Sequence, residues 1–332
     1  MTQYLYYRSN LPAMVFLILS GYAITAVAGA YPEKNIEFIV GYAPGGGYSD
    51  VAQALAPFIE KHLPRKVNVV VRHMEGAGSA IAANYLQKAK PDGYTIGIYN
   101  LAGLAPTQLV RKVSYDLNEV TWLARLSVDN VVAVVNVESP YKSILDFKKQ
   151  DKPMYLMSTR GLADNNTINA AVTFAKLGVK WKPLNHDGTV KAILAVMRGD
   201  ADILWSTYES VRQYIESKDL RPILFYDTKR SLEFPDVPIP SELGMPDLDE
   251  SMNSHRLLGA PPKLPPDVRA VLETAIRQAI EDRGFHEALH RMKRTAEYLN
   301  GRQAERVVRD SLRNFQAYTD VIKQLLGDAN RN

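Results

Sequence analysis

The chain has 332 residues, 46% of them hydrophobic, and a formal net charge of +4 at pH 7. That much apolar chain supports one or two folded domains and excludes a disordered or fibrous protein. The small charge, with no dense basic run, excludes a nucleic-acid surface, which needs clustered cations. The absence of cysteine excludes disulfides, thiolate metal sites and a cysteine nucleophile, and it fits an oxidising compartment.

Within the first thirty residues Arg8 is the only charged side chain. It precedes the apolar run Leu11 to Leu19, and the stretch ends in Ala28-Gly29-Ala30, so residues 1–30 read as an export signal cleaved near Ala30. The alternative is a retained anchor, for which the uninterrupted run is short of the roughly 20 residues a bilayer needs.

Strand and helix patterns alternate from there. Ile36 to Val40 is a short β-rich run, closed by Pro44-Gly45-Gly46-Gly47. Val51, Ala54, Leu55, Phe58 and Ile59 then mark a helical stripe, which Pro57 is expected to kink or cut. Val67 to Val71 is a second strand, Ala77 to Gln87 a helix, and Tyr94 to Tyr99 a third strand after the turn Pro91-Asp92-Gly93. A second series runs from Val131 to Val137 through Met154 to Met157, the helix Thr167 to Leu177, and Ile203 to Trp205. From Ala260 the chain is mainly helical, with one helix over Asp267 to Glu281 and another over Glu305 to Leu326. Strands alternating with helices predict mostly parallel sheets flanked by helices. Two such units and a returning helical segment suggest two lobes with a cleft between them.

The segment richest in chemistry is Gly41-Tyr42-Ala43-Pro44-Gly45-Gly46-Gly47-Tyr48-Ser49-Asp50. Its glycines leave backbone N–H groups uncovered, and the helix that follows adds partial positive charge, so an anion can be held without a cationic side chain. A loop that merely turns tightly is the plainer reading of the same residues. A nucleotide phosphate fits less well, because the Gly-Lys-Ser/Thr and G-x-G-x-x-G patterns are both missing. A carboxylate is expected.

Tyr31-Pro32, Ile36 and the PGGGYSD loop, in this order with Glu75-Gly76-Ala77-Gly78-Ser79, Lys90-Pro91-Asp92-Gly93-Tyr94-Thr95, Pro235-Asp236-Val237-Pro238, Glu242-Leu243-Gly244 and Ala260-Pro261 through Pro265, resemble the substrate-binding proteins of tripartite tricarboxylate transporters, the Bug receptors. The resemblance implies a two-lobed α/β periplasmic binding-protein fold of type II, a Venus flytrap with two hinge strands. Its lobes would be residues 31–130 plus 251–332 and residues 131–250. It implies a periplasmic, monomeric receptor without catalytic residues, metal or cofactor, which binds a small organic acid and delivers it to membrane transporter subunits. A sensor module for a membrane kinase is the alternative role on the same fold.

Carried over from the family, the contacts in the first lobe would be Tyr42, Gly46, Gly47, Tyr48, Ser49 and Asp50, with Ser79 and Asn100 nearby. The second lobe would contribute Ser158, Thr159, Arg160, Gly161 and Asp164, with His186 and Trp205 on the same rim. The chain departs from the family where ligand identity would be read, at Arg160, at Asp164-Asn165-Asn166 and at Leu184-Asn185-His186-Asp187-Gly188. Arg160 is read either as a carboxylate clamp or as a solvated partner of Asp164.

His286-Glu287-Ala288-Leu289-His290 matches the zinc-protease pattern H-E-x-x-H, which would make the chain a hydrolase. It lies between Arg283 and the run Arg291-Met292-Lys293-Arg294, a cationic surface that repels zinc, and no third histidine follows. The motif is read as a solvated helix.

Overall fold

The computed structural model describes Met1 and residues 31–158, 164–185 and 188–329. The export-signal reading of residues 1–30 therefore lies outside the described residues, Met1 apart. So do Thr159, Arg160, Gly161 and His186.

Strand β1 (Ile36–Val40) leads through the glycine loop into helix α1 (Gly47–His62). Ile36, Phe38 and Val40 pack with Val51, Leu55 and Ile59 of that helix. Ile39 points to the opposite core. The strand is apolar except at Glu37, because both of its faces are covered. Pro57 does not cut α1, which runs unbroken through it. Its ring is on the exposed side of the helix, where water can take the carbonyl left without a donor.

Strand β2 (Val69–His73), a 3₁₀ turn at Ala77–Ser79, α2 (Ala80–Lys88), β3 (Thr95–Asn100) and α3 (Leu101–Val110) complete the first series. Strand β4 (Thr121–Asp129) then passes through the single residue Asn130 into β5 (Val131–Asn136). The second series comprises β6 (Met154–Ser158), α4 (Asn165–Leu177), β7 (Trp181–Asn185), α5 (Thr189–Arg198), β8 (Ile203–Thr207), α6 (Tyr208–Glu216) and β9 (Leu220–Phe225). The chain returns through β10 (Ser254–Ala260), followed by α7 (Pro266–Glu281), α8 (Arg283–Arg291), β11 (Leu299–Asn300), α9 (Gly301–Gln316) and α10 (Thr319–Ala329).

These strands form two sheets, ordered β11-β4-β10-β3-β1-β2 and β7-β6-β8-β5-β9. Each sheet is parallel where the strand–helix–strand series built it. Each is antiparallel where β10, or β5 with β9, closes it. The result is two mixed α/β sheets flanked by helices: the two-lobed arrangement expected, but not the mostly parallel sheets, because β10 and β5 run back antiparallel to their neighbours.

Three asparagines stitch the passage between the sheets. Asn253 accepts from the Val131 amide at 2.9 Å and donates to the Tyr226 carbonyl at 3.0 Å. Asn130 donates to the same carbonyl at 2.9 Å, and Asn169 of α4 donates to Met252 O at 2.8 Å.

The single helix expected over Glu305 to Leu326 is two helices, broken around Ala317 and Tyr318. Tyr318 donates its hydroxyl to Asp247, and Asn314 binds the Asp247 carbonyl at 3.1 Å. These ties hold the end of α9 to the return segment while α10 turns onto α4 and α3.

Candidate functional site

The cleft is built around the start of α1. Gly46 is the residue before its first turn, and among the described residues no side chain caps it, although Asp50 N–H reaches Gly46 O at 2.9 Å. The first-turn amides are thus left for a ligand or water. The glycines answer to different needs. Gly45 has φ +80°, a left-handed conformation that costs other residues about 1 kcal/mol or more. Gly47 has an ordinary backbone, but a Cβ there would lie 2.7 Å from Arg294 Nη2.

Two adjoining hollows open here. One, of about 190 Å³, is bordered by Tyr42, Gly46, Gly47, Tyr48, Asn100 and Asp129, and by Asp164, Asn165, Thr189, Ser206, Thr207 and Ser210 from the other sheet. The other, of about 830 Å³, shares Tyr42, Gly46, Asn100, Asp164 and Asn165 with it, and extends past Ser79 to Arg111 and Lys112. The first turns of α4, α5 and α6 therefore converge on the same space as that of α1. All four present the positive ends of their dipoles. A further hollow of about 600 Å³, between Pro246–Ser251 and α9, includes none of the glycine loop.

The sequence-selected tyrosines form the wall. Tyr42 and Tyr48 stack with centroids 4.8 Å apart. Asn100 Nδ2 donates to the Tyr42 hydroxyl at 2.6 Å. The Tyr48 hydroxyl is 3.2 Å from Ser254 Oγ, and burial pushes its phenol well above the ordinary range. Ser79 is buried beside Gly41, where a Cβ would come within 2.4 Å of its own.

Ser49 does not reach the cleft. It is fully buried, and its hydroxyl meets His73 Nε2 at 2.8 Å, because its place on α1 turns it inward. Asp50 is half-buried and borders neither hollow. Trp205 is also not on the rim. Alternation along β8 turns Ser206 to the cleft and Trp205 into the core. There its indole donates to the Tyr226 hydroxyl at 2.8 Å and its ring meets Phe174 edge-on. Ser158 ends β6, and Asp164 borders both hollows.

Sequence reasoning missed the charged floor. Asp129 Oδ2 accepts from Arg256 at 2.6 Å and from Arg294 at 2.9 Å. Burial opposes the Asp129 charge, yet the two guanidiniums prevail and hold its carboxyl below the usual range. The Arg256 guanidinium lies 4.8 Å from the Tyr48 ring centroid, a cation–π contact. Across the cleft, burial, and next the Asp129 charge, raise Glu209 to about 7, against its own backbone amide, Arg294 and Arg256. An arginine directly before the apolar stretch Leu257 to Ala260, within one buried strand, was the available signal, since a buried strand cation requires an anionic partner. Register supplies it by pairing Arg256 with Ser127 and Ser254 with Asp129.

The zinc-like helix offers no such convergence. His286, Glu287 and His290 are exposed on α8, and Glu287 is paired with Arg283 at 2.9 Å. Among the described residues no group of three His, Cys, Asp or Glu side chains could hold a metal. None of the described helices is long and apolar enough to cross a membrane.

Two sheets joined at Asn130, with helix starts converging on a cleft between them, define a two-lobed solute-binding protein. The chain belongs to the tripartite tricarboxylate transporter receptor family, whose model matches residues 51–325. It is 24% identical over 314 residues to a protein in the gbd 5′ region of Cupriavidus necator, covering 92% of each chain. It is 24% identical over 280 residues to BugT of Bordetella pertussis, covering 82% and 85% of the two chains. The fold is that of a TctC solute-binding protein from Polaromonas, with a TM-score of 0.72, 24% identity and coverage of 89% and 99%. It is also that of MatC from Rhodopseudomonas palustris with bound malate, with a TM-score of 0.68, 20% identity and coverage of 88% and 100%.

Proposed function

We propose that this chain is a periplasmic receptor that captures a small organic carboxylate between its lobes and delivers it to the membrane subunits of a tripartite transporter. The observation that carries this reading is the convergence of four helix N-termini and an uncapped glycine turn on one cleft. Such a cleft is complementary to an anion that cannot be neutralised by simple protonation near pH 7. The malate bound by MatC supports the choice of a carboxylate.

Residues 31–130 with 251–332 would move as one lobe and 131–250 as the other, about Asn130 and the return before Ser254. Binding begins on the α1 side, and closure brings in Asp164, Thr189 and Thr207. The population shifts to the closed form only by as much as those later contacts add. Capture and release need no bond-making step, so saturable binding without turnover is expected.

The test is a thermal-shift screen against mono-, di- and tricarboxylates. The right acid raises the melting temperature, and the stabilisation grows with the logarithm of its concentration above Kd. Gly46→Leu removes that rise, because the new side chain projects into the opening, while Ala43 O at 3.5 Å leaves room for its Cβ. A Gly46→Leu protein that binds the acid as the parent does refutes the glycine-turn site.

A further inference from the structure

The stretch Arg291-Met292-Lys293-Arg294 reads as a solvated cationic surface, and Arg294 departs from it. Its guanidinium turns into the cleft and borders the hollow of about 190 Å³. Nη1 donates to Asp129 at 2.9 Å, the one side-chain hydrogen bond Arg294 makes among the described residues. Nη2 and Nε thus keep their donors.

Arg256 competes for the same Asp129 oxygen at 2.6 Å. One carboxylate therefore faces two guanidiniums, and one positive charge is left over. Arg256 is 3% exposed, held by Asp129, Ser127 and the face of Tyr48. The side chain of Arg294 is 22% exposed, so its open donors, unlike the buried Nε of Arg256, are within reach of a solute. The loop accommodates this side chain. A Cβ at residue 47 would strike Nη2 at 2.7 Å, a demand that an arginine extended into solvent would not make.

We infer that Arg294 is a ligand-contacting, specificity-determining residue, whose guanidinium binds an ionised carboxylate of the solute at the first turn of α1. The inference rests on the carboxylate-receptor reading above and adds to it a side-chain charge where backbone amides alone were expected. The two sources of attraction are geometrically compatible, since a guanidinium fork and helix amides can each take one carboxylate oxygen. Glu209 faces the pair from the other lobe. An ionised Glu209 and the solute's carboxylate would contend for the same arginine.

The experiment is calorimetry on the purified protein with succinate, malate, adipate and citrate at several sodium chloride concentrations, repeated with Arg294→Gln and Arg294→Lys. For any acid that binds the parent, Arg294→Gln is expected to weaken binding at least tenfold and to flatten its dependence on salt. Arg294→Lys is expected to fall between the two, because it keeps the charge and loses the fork. An Arg294→Gln protein with unchanged affinity, or one weakened with the parent's salt dependence intact, overturns the inference, since a purely structural arginine would leave that slope alone. If Arg294→Gln does not fold, Arg294→Lys decides. Several-fold weaker binding with the salt slope kept supports the contact, and parental affinity overturns it. Failure of every acid to bind the parent would instead defeat the carboxylate reading itself, and the inference with it.

Discussion

Glu209→Gln makes the electrostatics of the cleft measurable without any ligand. Burial, then Asp129, raise the Glu209 carboxyl from 4.5 to about 7, so between those values the folded protein holds a proton that the unfolded chain has released. Stability must then fall as pH rises from about 4.5 through 7, and stay low above it. At about 1.4 kcal/mol per unit, the interval corresponds to roughly 3.5 kcal/mol as an upper limit. Coupling to Asp129 and residual solvent contact reduce this to about 2 kcal/mol in practice. Gln keeps the size of the side chain and cannot ionise. The variant should match the parent below pH 4.5 and exceed it by that amount at pH 8. Chemical denaturation at both pH values measures the difference. A gap between variant and parent that is the same at pH 5 and pH 8 would refute the assignment of Glu209 as a carboxyl forced to ionise in a buried site.

His255 carries the opposite sign. Burial, then Arg125, lower its imidazole from 6.5 to about 4, so stability is lost as pH falls from 6.5 toward 4, and His255→Gln should flatten that limb in denaturation curves. Tyr226→Phe leaves the Trp205 indole and Thr173 hydroxyl without the oxygen they share. The expected loss is about 1–3 kcal/mol by urea denaturation, with ligand affinity unchanged. Gly301→Ala would put a Cβ 2.4 Å from Trp122 O and 2.5 Å from Glu273 Oε1. Backbone cannot yield as a side-chain tip can, so a loss of about 3 kcal/mol is expected. A loss below about 0.5 kcal/mol would mean that the α9 start moves freely away from β4.

What could be read from the sequence follows from range. Residues 36–47 disclose themselves because an apolar run on a two-sided strand, then glycines, then a 3.6-residue stripe are all local signals. Tyr42, Gly46, Gly47 and Tyr48 border the cleft for that reason, and the strands of the first series were placed within a few residues. Ser49 and Trp205 show where local reading stops. Both lie beside cleft residues in sequence, but one step turns a side chain by about 100° on a helix and to the opposite face on a strand. The charged floor lay further out of reach. Asp129, Glu209, Arg256 and Arg294 are far apart in the chain and meet only because β10 returns antiparallel beside β4 while α6 faces them from the second sheet. Arg294 in particular looked like one more cation in a solvated run. What distinguishes it is a glycine nearly 250 residues earlier whose missing Cβ gives it room. A family's backbone site can therefore be inherited through its loop while the charge beside it is set by residues that no loop pattern contains. On the carboxylate-receptor proposal, that second layer, more than the glycine turn, is where selection among organic acids should be sought.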